Sequence, residues 1–258
     1  MINESKLAEA LTRFKGALPF DHVVVDDFFD EPVAGALSAQ FLPYDSEKWF
    51  QYKNPLEDKK AINDWNVFPA LTYRAFSYLN SRRFVDIIEA GLGLPLHADN
   101  GLHGGGWHIH HTGGNLNPHL DYSIHPKMGL QRKLNLIVYL SRELRPEHGG
   151  HLGMWQHGAD GSTPGELANE VDPRFNRALL FDTTQNSWHG MSRPLSPPGD
   201  IFRKSFAVYY LCEPAKDADP RGRALYAARE EQKHDPEVER IIKLRAQVDS
   251  SSKVYRTE

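Results

Sequence analysis

The spacing of hydrophobic residues along the chain changes near residue 100. Before that point, apolar positions recur mostly at intervals of three and four residues, which is typical of helices that pack on one face. The spacing predicts helices over residues 3–16, 31–41 and 68–90, whereas a run of β-branched and aromatic residues at 22–29 predicts a strand. The first part of the chain is therefore expected to be largely helical.

Between residues 102 and 212 the pattern is different. Short apolar runs alternate with clusters of Gly, Pro and Asn, which is typical of an antiparallel sandwich or jelly roll. The strongest predicted strands cover residues 133–140, 177–181 and 205–211, and the polar stretch 158–175 is predicted to be a long loop. Beyond the β region, residues 221–234 and 236–248 are predicted to be two helices.

These patterns predict a single domain over residues 1–258, mainly β with flanking helices. In this organisation, residues from about 1 to 100 support the core, residues from about 101 to 212 form it, and residues from about 213 to 258 add C-terminal helices.

Composition narrows the class of protein. Hydrophobic residues make up 40% and charged residues 25% of 258, as in ordinary globular proteins. The net charge is -4, so the chain lacks the excess of basic residues that nucleic-acid binding requires, and a nucleic-acid partner is not expected. The single cysteine, Cys212, rules out an internal disulfide. Because we find no apolar run of signal-peptide or membrane-spanning length, we expect a cytoplasmic location and no membrane partner.

Histidine supplies the first chemical signal, since eight of the 13 histidines fall between His103 and His151. Within that region, His119 and Asp121 are two positions apart, so in a strand they project from the same face. One imidazole and one carboxylate make two of the three ligands of an iron facial triad. His189, which follows the predicted strand 177–181, is the best candidate for the third.

A facial triad leaves room on iron for a bidentate 2-oxo acid and for O2. The far carboxylate of such a co-substrate needs a cation, and the planar fork of arginine suits it best. Alternation in the strand IFRKSFAVYYL places Arg203 and Ser205 on one face and Lys204 on the other. Tyr139 can project toward the same anion from the predicted strand 133–140. Arg203 is preferred, and Lys204 remains the alternative.

Four segments, in this order, resemble the prolyl-4-hydroxylase-like group of the 2-oxoglutarate/Fe(II) oxygenases. They are HHTGGNLNPHLD at 110–121, RKLNLIVYLS at 132–141, HGGHLGMW at 148–155, and Ala178–His189 together with Arg203–Ser205. The resemblance covers residues from about 102 to 211, under half of the chain. Two departures stand out: His110 occupies a position that is usually aromatic, and the segment from His189 to Arg203 is longer than usual.

The resemblance implies a double-stranded β-helix (jelly roll) and a dioxygenase that uses Fe(II), 2-oxoglutarate and O2, with ascorbate as an optional reductant. Such an enzyme hydroxylates an unactivated C–H bond and releases succinate and CO2. The implied catalytic and metal-binding set is His119, Asp121 and His189, and the implied co-substrate set is Arg203, Ser205 and Tyr139. The substrate, a small molecule or a peptide or protein, and the oligomeric state are left open.

Three alternatives compete with this interpretation. In a cupin-like metalloprotein, His108 and His110 of the segment WHIHH would hold the metal. In a halogenase of the same fold, the carboxylate ligand is missing, so the presence of Asp121 favours hydroxylation. A catalytically silent binding module of the same fold would need no complete site, whereas all six residues are present.

Overall fold

A computed structural model describes residues 1–246 of the chain, which form five α-helices and fourteen strands. The helices are α1 Glu4–Leu11, α2 Glu31–Ala39, α3 Ala70–Leu79, α4 Arg82–Leu92 and α5 Pro236–Ala246. The strands are β1 His22–Val25, β2 Phe50–Asn54, β3 Glu57–Ile62, β4 His97–Ala98, β5 Gly106–His110, β6 Asn115–Leu116, β7 His119–Leu120, β8 Gln131–Tyr139, β9 Leu152–His157, β10 Pro164–Val171, β11 Ala178–Asp182, β12 His189–Met191, β13 Arg203–Cys212 and β14 Leu225–Tyr226.

The strands form two antiparallel sheets. The larger has nine strands, with the main order β1-β11-β8-β13-β5-β3-β2, and the smaller has the order β10-β9-β12-β7-β14. Their inner faces meet in an apolar cluster that joins Tyr139 and Phe181 of the larger sheet to Leu152 and Met154 of the smaller one. This mostly β arrangement of curled sheets confirms the predicted jelly-roll core.

The four N-terminal helices cover the outer face of the larger sheet. Phe76 of α3 and Phe84 of α4 belong to the same buried cluster as Val138 and Phe206 of the central strands. The outer positions of β8 and β13 are therefore mostly apolar, and polar side chains can occupy inner positions. Ser81 begins α4 by accepting a hydrogen bond from the backbone N–H of Phe84.

Two sequence predictions are wrong in part. The stretch 158–175 contains β10, an edge strand that pairs with β9 although half of its residues are exposed. Residues 221–234 do not form a helix. They contain β14, which pairs with β7, and a short 3-10 turn at Glu230–Gln232. Backbone pairing with the sheet outweighs the helix propensity of the local sequence.

The remaining predicted helices are present with shifted ends. The predicted helix 3–16 is α1, and the prediction 68–90 divides into α3 and α4. The helix predicted at 236–248 is α5 as far as Ala246, and its last two positions lie outside the described residues. Within residues 1–246 no helix combines the length and apolar character of a membrane span. The single-domain organisation with its three parts stays a prediction.

Candidate metal centre

The structure brings His119, Asp121 and His189 together at one end of the smaller sheet. His119 begins β7 and His189 begins β12, and the two residues are directly paired across these antiparallel strands. Asp121 follows β7 immediately, and all three side chains are buried. A short strand pair thus joins two segments that are far apart in sequence.

The ligand atoms of these three residues converge on one point. Nε2 of His119 lies 3.9 Å from Oδ1 of Asp121, and Nε2 of His189 lies 3.8 Å from Oδ2. The three ligand atoms all lie within 4.8 Å of one another. Among residues 1–246 this is the only group of three or more His, Cys, Asp or Glu side chains with such spacing. Two imidazoles and one carboxylate are the donor set of a facial triad, so these residues fit Fe(II).

Backbone carbonyls hold both imidazoles in one orientation. Nδ1 of His119 lies 2.9 Å from the carbonyl oxygen of Asn117, and Nδ1 of His189 lies 2.8 Å from that of Ser187. With the proton on Nδ1 donated to a carbonyl, the lone pair of Nε2 faces Asp121. These two hydrogen bonds therefore orient both rings as metal ligands.

Burial and charge set suitable protonation states. Burial, reinforced by the nearby His189, lowers the pKa of His119 to about 3, and burial also lowers the pKa of His189. Burial alone would raise the pKa of Asp121, but the charge of Arg132 and the two histidines lowers it overall. At neutral pH the centre therefore offers two neutral imidazoles and one carboxylate, the forms that bind a metal.

Arg132 is a residue of this site that the sequence analysis did not identify. Its Nη1 lies 3.3 Å from Oδ1 of Asp121, and its Nη2 donates to the carbonyl oxygen of His103. The guanidinium lies between the rings of Tyr122 and Tyr209, 3.4 Å from each centroid. These contacts fix a buried cation beside the candidate carboxylate ligand.

A β-bulge explains why Arg132 faces inward. The pairing of β8 with β13 shifts register between Tyr210 opposite Leu134 and Leu211 opposite Arg132, so one extra residue, Lys133, is inserted. Simple alternation would place Arg132 on the outer apolar face with Leu134. The extra residue instead returns Arg132 to the inner face.

The inner face of β13 carries the predicted co-substrate residues. Arg203 and Ser205 line the central cavity, and Nη2 of Arg203 lies 3.4 Å from the hydroxyl of Tyr139. Nε of Arg203 donates to the carbonyl oxygen of Gly150. Arg203 is only 6% exposed and, within the described residues, has no carboxylate partner. A buried arginine without a counter-ion fits the carboxylate of a 2-oxo acid.

Lys204, the alternative to Arg203, points to the other side of the sheet. Its ammonium contacts the ring of Phe41 at 5.7 Å and the carbonyl oxygen of Ser38 at 3.4 Å. Both contacts lie on the helical side of β13, and Lys204 does not line the cavity. The register of the strand therefore favours Arg203 as the anion-binding residue.

His108 and His110 also line the cavity, but they do not join a metal cluster in the described chain. Neither ring nitrogen of His110 has a hydrogen-bond partner within residues 1–246. Burial, together with the charges of Arg203 and Lys59, lowers the pKa of His110 well below its usual range. A cupin-like metal site at these two histidines has no third ligand in the described structure.

The C-terminal segment packs directly on the candidate centre. The ring of Tyr226 stacks on His119 with centroids 5.0 Å apart, and its hydroxyl donates to the buried Glu57. Arg221 donates to the backbone carbonyl oxygen of Asp121. Arg245 of α5 pairs with Glu57 at 3.0 Å. The segment predicted as a helix thus forms part of the wall around the site.

The cavity has a volume of about 510 Å³ and opens between the two sheets. The candidate ligands, Arg132, Arg203 and Ser205 line it, together with residues of β3 and β5. The hairpin β2–β3 adds Phe50, Tyr52 and Lys59 to its wall. The site is therefore a chamber that can hold a small molecule or one side chain of a peptide beside the triad.

Comparison with known proteins agrees with this geometry. Residues 105–211 match the model of the 2OG-Fe(II) oxygenase superfamily. No curated protein sequence matches the chain. The fold match extends over most of the chain, as three solved structures show.

A prolyl-4-hydroxylase of Pseudomonas putida superposes with a TM-score of 0.56 and 17% identity over 81% of this chain and 100% of that chain. HygX of Streptomyces hygroscopicus, solved with nickel, 2-oxoglutarate and hygromycin B, superposes with a TM-score of 0.51 and 14% identity over 82% of this chain and 88% of that chain. The α-ketoglutarate-dependent epimerase SnoN from nogalamycin biosynthesis superposes with a TM-score of 0.53 and 12% identity over 87% of this chain and 86% of that chain.

Residues 105–211, under half of the chain, are therefore similar in sequence to the 2-oxoglutarate/Fe(II) oxygenase superfamily, and the fold is similar to that of prolyl-4-hydroxylases and other 2-oxoglutarate-dependent enzymes. The structural neighbours include prolyl-4-hydroxylases and enzymes of other activity, so the fold by itself does not determine the reaction.

Proposed function

We propose that this protein is an Fe(II)- and 2-oxoglutarate-dependent dioxygenase that hydroxylates an unactivated C–H bond of its substrate and releases succinate and CO2. The observation that carries the proposal is the convergence of His119, Asp121 and His189 on one point, with Arg203, a buried cation that has no carboxylate partner among the described residues, in the same cavity. In this proposal the three residues hold the metal and are the catalytic set.

Arg203, Ser205 and Tyr139 hold the co-substrate. Ser205 and Tyr139 are paired across β13 and β8, and the Tyr139 hydroxyl accepts a hydrogen bond from Nη2 of Arg203. This arrangement offers two charge-assisted N–H donors and two hydroxyls to one carboxylate. It fixes the orientation of a 2-oxo acid relative to the triad.

When bound, Fe(II) and 2-oxoglutarate supply the oxidative decarboxylation that delivers one oxygen atom of O2 to a C–H bond. The chain itself provides neutral imidazoles, an ionised carboxylate and a low-dielectric chamber. Phe181 packs against the ring of His189 with centroids 4.7 Å apart, and the ring of Tyr226 covers His119. These rings shield the side chains of His119 and His189 from water.

Hydroxylation is favoured over halogenation because a carboxylate stands between the two histidine ligands. Both oxygens of Asp121 face the histidine Nε2 atoms, which leaves no vacant ligand position for chloride in place of the carboxylate. Mass spectrometry of the product at high chloride concentration tests this point. A hydroxylated product is expected, and a chlorinated product would contradict the assignment of Asp121.

Succinate release from 2-oxoglutarate tests the proposed activity. The purified protein is supplied with Fe(II), 2-oxoglutarate and O2 and screened against small molecules and peptides. Succinate formation that requires both Fe(II) and O2 supports the dioxygenase. A protein that never forms succinate, with or without candidate substrates, would instead be a catalytically silent binding module.

A further inference from the structure

Lys59 brings a second cation into the cavity from β3. In the larger sheet β3 lies beside β5, and β5 lies beside β13. Lys60 pairs with Ile109, so Lys59 lies next to His110, and His110 pairs with Arg203. Neighbouring strands are about 4.8 Å apart, which puts the backbones of Lys59 and Arg203 about 10 Å from each other.

The residue between these two cations cannot neutralise them. His110 is 2% exposed and has no hydrogen-bond partner for either ring nitrogen within residues 1–246. Burial, then the charges of Arg203 and Lys59, keep its pKa well below the usual range. His110 is therefore a neutral ring that offers one donor and one acceptor to the cavity.

The nearest carboxylate to Lys59 is already engaged. Glu57 lies 3.6 Å from the Lys59 ammonium, but it is closer to the Tyr226 hydroxyl and to Arg245, each at 3.0 Å. In the described part of the chain, Nζ of Lys59 makes no hydrogen bond; besides Glu57 it lies near the ring of Tyr52, 5.1 Å from the centroid, and its side chain is 14% exposed. A mostly buried ammonium with a shared counter-ion retains capacity for another anion.

Most of the charged side chains that line the cavity around the triad are positive. Five cationic side chains line the cavity, and its two carboxylates are Asp121 of the triad and Glu57; the cations are Lys59, Arg132, Arg203, Arg223 and Arg245. A ferrous ion and doubly charged 2-oxoglutarate cancel each other, so their binding does not remove this positive excess. The whole chain, by contrast, carries a net charge of -4. The positive cavity is thus a local feature, and it attracts anions.

We propose that the primary substrate carries an anionic group, a carboxylate or a phosphate, and that Lys59 binds this group while Arg203 binds 2-oxoglutarate. The inference rests on the proposed function, because it reserves Arg203 for the co-substrate. Lys59 is a specificity-determining residue: it selects the substrate by charge and fixes its distance from the triad.

Calorimetric titration of the anaerobic Fe(II)–2-oxoglutarate complex of the full chain tests the inference. With excess 2-oxoglutarate present, the probes are butyrate, inorganic phosphate and butyramide, which is the uncharged match of butyrate. Butyrate or phosphate is expected to bind, and the stronger of the two identifies the anionic group. Butyramide is expected to bind at least about tenfold more weakly, since it lacks the charge.

Variants at neighbouring positions of β3 separate charge from folding. Lys59→Gln should weaken binding of the anion by about 10- to 100-fold, the loss of one charge-assisted contact. Lys59→Arg should retain most of it. The matched control is Lys60→Gln, because Lys60 points away from the cavity and donates to the carbonyl oxygen of Tyr44. This control should bind the anion as the unmodified protein does.

Several results would overturn the inference. They are equal binding of butyrate and butyramide, equal binding by the Lys59→Gln and Lys60→Gln proteins, and displacement of 2-oxoglutarate by the anion. The visible absorption of the Fe(II)–2-oxoglutarate chelate, recorded before each titration, reports on the proposed function separately. Its absence in the unmodified protein would overturn the proposed function and this inference together, whereas its presence without any effect of Lys59 would overturn the inference alone.

Discussion

Nη1 of Arg132 lies 3.3 Å from Oδ1 of Asp121, and the guanidinium of Arg132 is stacked between the rings of Tyr122 and Tyr209. The contact orients one carboxylate oxygen and supplies a positive charge next to it. Asn135 reaches the other oxygen at 3.4 Å. The carboxylate is therefore positioned by a contact to each of its oxygens.

Replacing Arg132 should weaken the metal site. We expect Arg132→Met to lower Fe(II) affinity by about 10- to 100-fold, as for other residues that support a metal ligand. Without this cation the pKa of Asp121 rises, so the affinity of the variant should fall further as the pH is lowered from 8 to about 6. Anaerobic competition with a chromophoric chelator at both pH values measures the effect.

The control for this variant is Arg142→Met. Arg142 also combines an ion pair, with Glu31, and a ring contact, with Phe175, but it lies away from the cavity. The Arg142→Met protein should bind Fe(II) with the affinity of the unmodified protein. Unchanged affinity in the Arg132→Met protein would show that Asp121 does not depend on this contact.

The co-substrate prediction concerns two adjacent residues on opposite faces of β13. Arg203→Ala should weaken 2-oxoglutarate binding by about 2–5 kcal/mol, because it leaves a buried carboxylate without its partner. Arg203→Lys should recover only part of the loss, since the planar fork is absent. Lys204→Ala, on the helical side, should have little effect. Calorimetric titration with 2-oxoglutarate measures the affinity of each variant. A larger loss of affinity in Lys204→Ala than in Arg203→Ala would contradict the assignment of Arg203.

The buried ring of His110 predicts a pH dependence of stability. Unfolded histidine titrates near pH 6.5, whereas His110 in the fold has a pKa well below that value, first because it is buried. The unfolded chain therefore binds more protons below about pH 6.5, and the free energy of unfolding of the metal-free protein should decrease as the pH falls from 7 to 5.

His110→Phe tests the origin of this dependence. The substitution removes two buried nitrogens without partners, so it should raise the free energy of unfolding by about 1 kcal/mol and reduce its decrease toward acid pH. His97→Phe introduces the same ring at an exposed position and serves as the control. Urea unfolding at several pH values is the measurement. Because the buried His119 and His189 also have lowered pKa values, part of the pH dependence should remain in this variant. A His110→Phe protein with the same pH dependence as the unmodified one would exclude His110 as a contributor.

Sequence periodicity predicted the central strands because their outer faces are regular and apolar. In β13, strict alternation correctly separates Arg203 and Ser205 on the cavity side from Phe206 and Val208 in the core. In β8 the same reasoning fails at Arg132, because the extra residue at Lys133 changes the face. Such bulges depend on pairing between distant strands, and alternation along one strand does not show them.

Other elements lacked an apolar pattern altogether. The hairpin β2–β3, with the sequence FQYKN–PL–EDKKAI, has no apolar alternation, so it was not predicted although it supplies Lys59. The segment around Tyr226 is rich in helix-forming residues, but its pairing with His119 keeps it extended. In both cases long-range strand pairing decides the structure, and local propensity does not contain that information.

Binding of Fe(II) and 2-oxoglutarate by ligand variants tests the central claim most directly. Both are added to the protein without O2, and the visible absorption of their chelate is recorded alongside circular dichroism. The unmodified protein and a His111→Ala control should show the absorption, whereas His119→Ala and His189→Ala should lose it and keep the fold, since two ligands do not hold the metal tightly. Equal absorption in both ligand variants and in the unmodified protein would contradict the assignment of the metal centre.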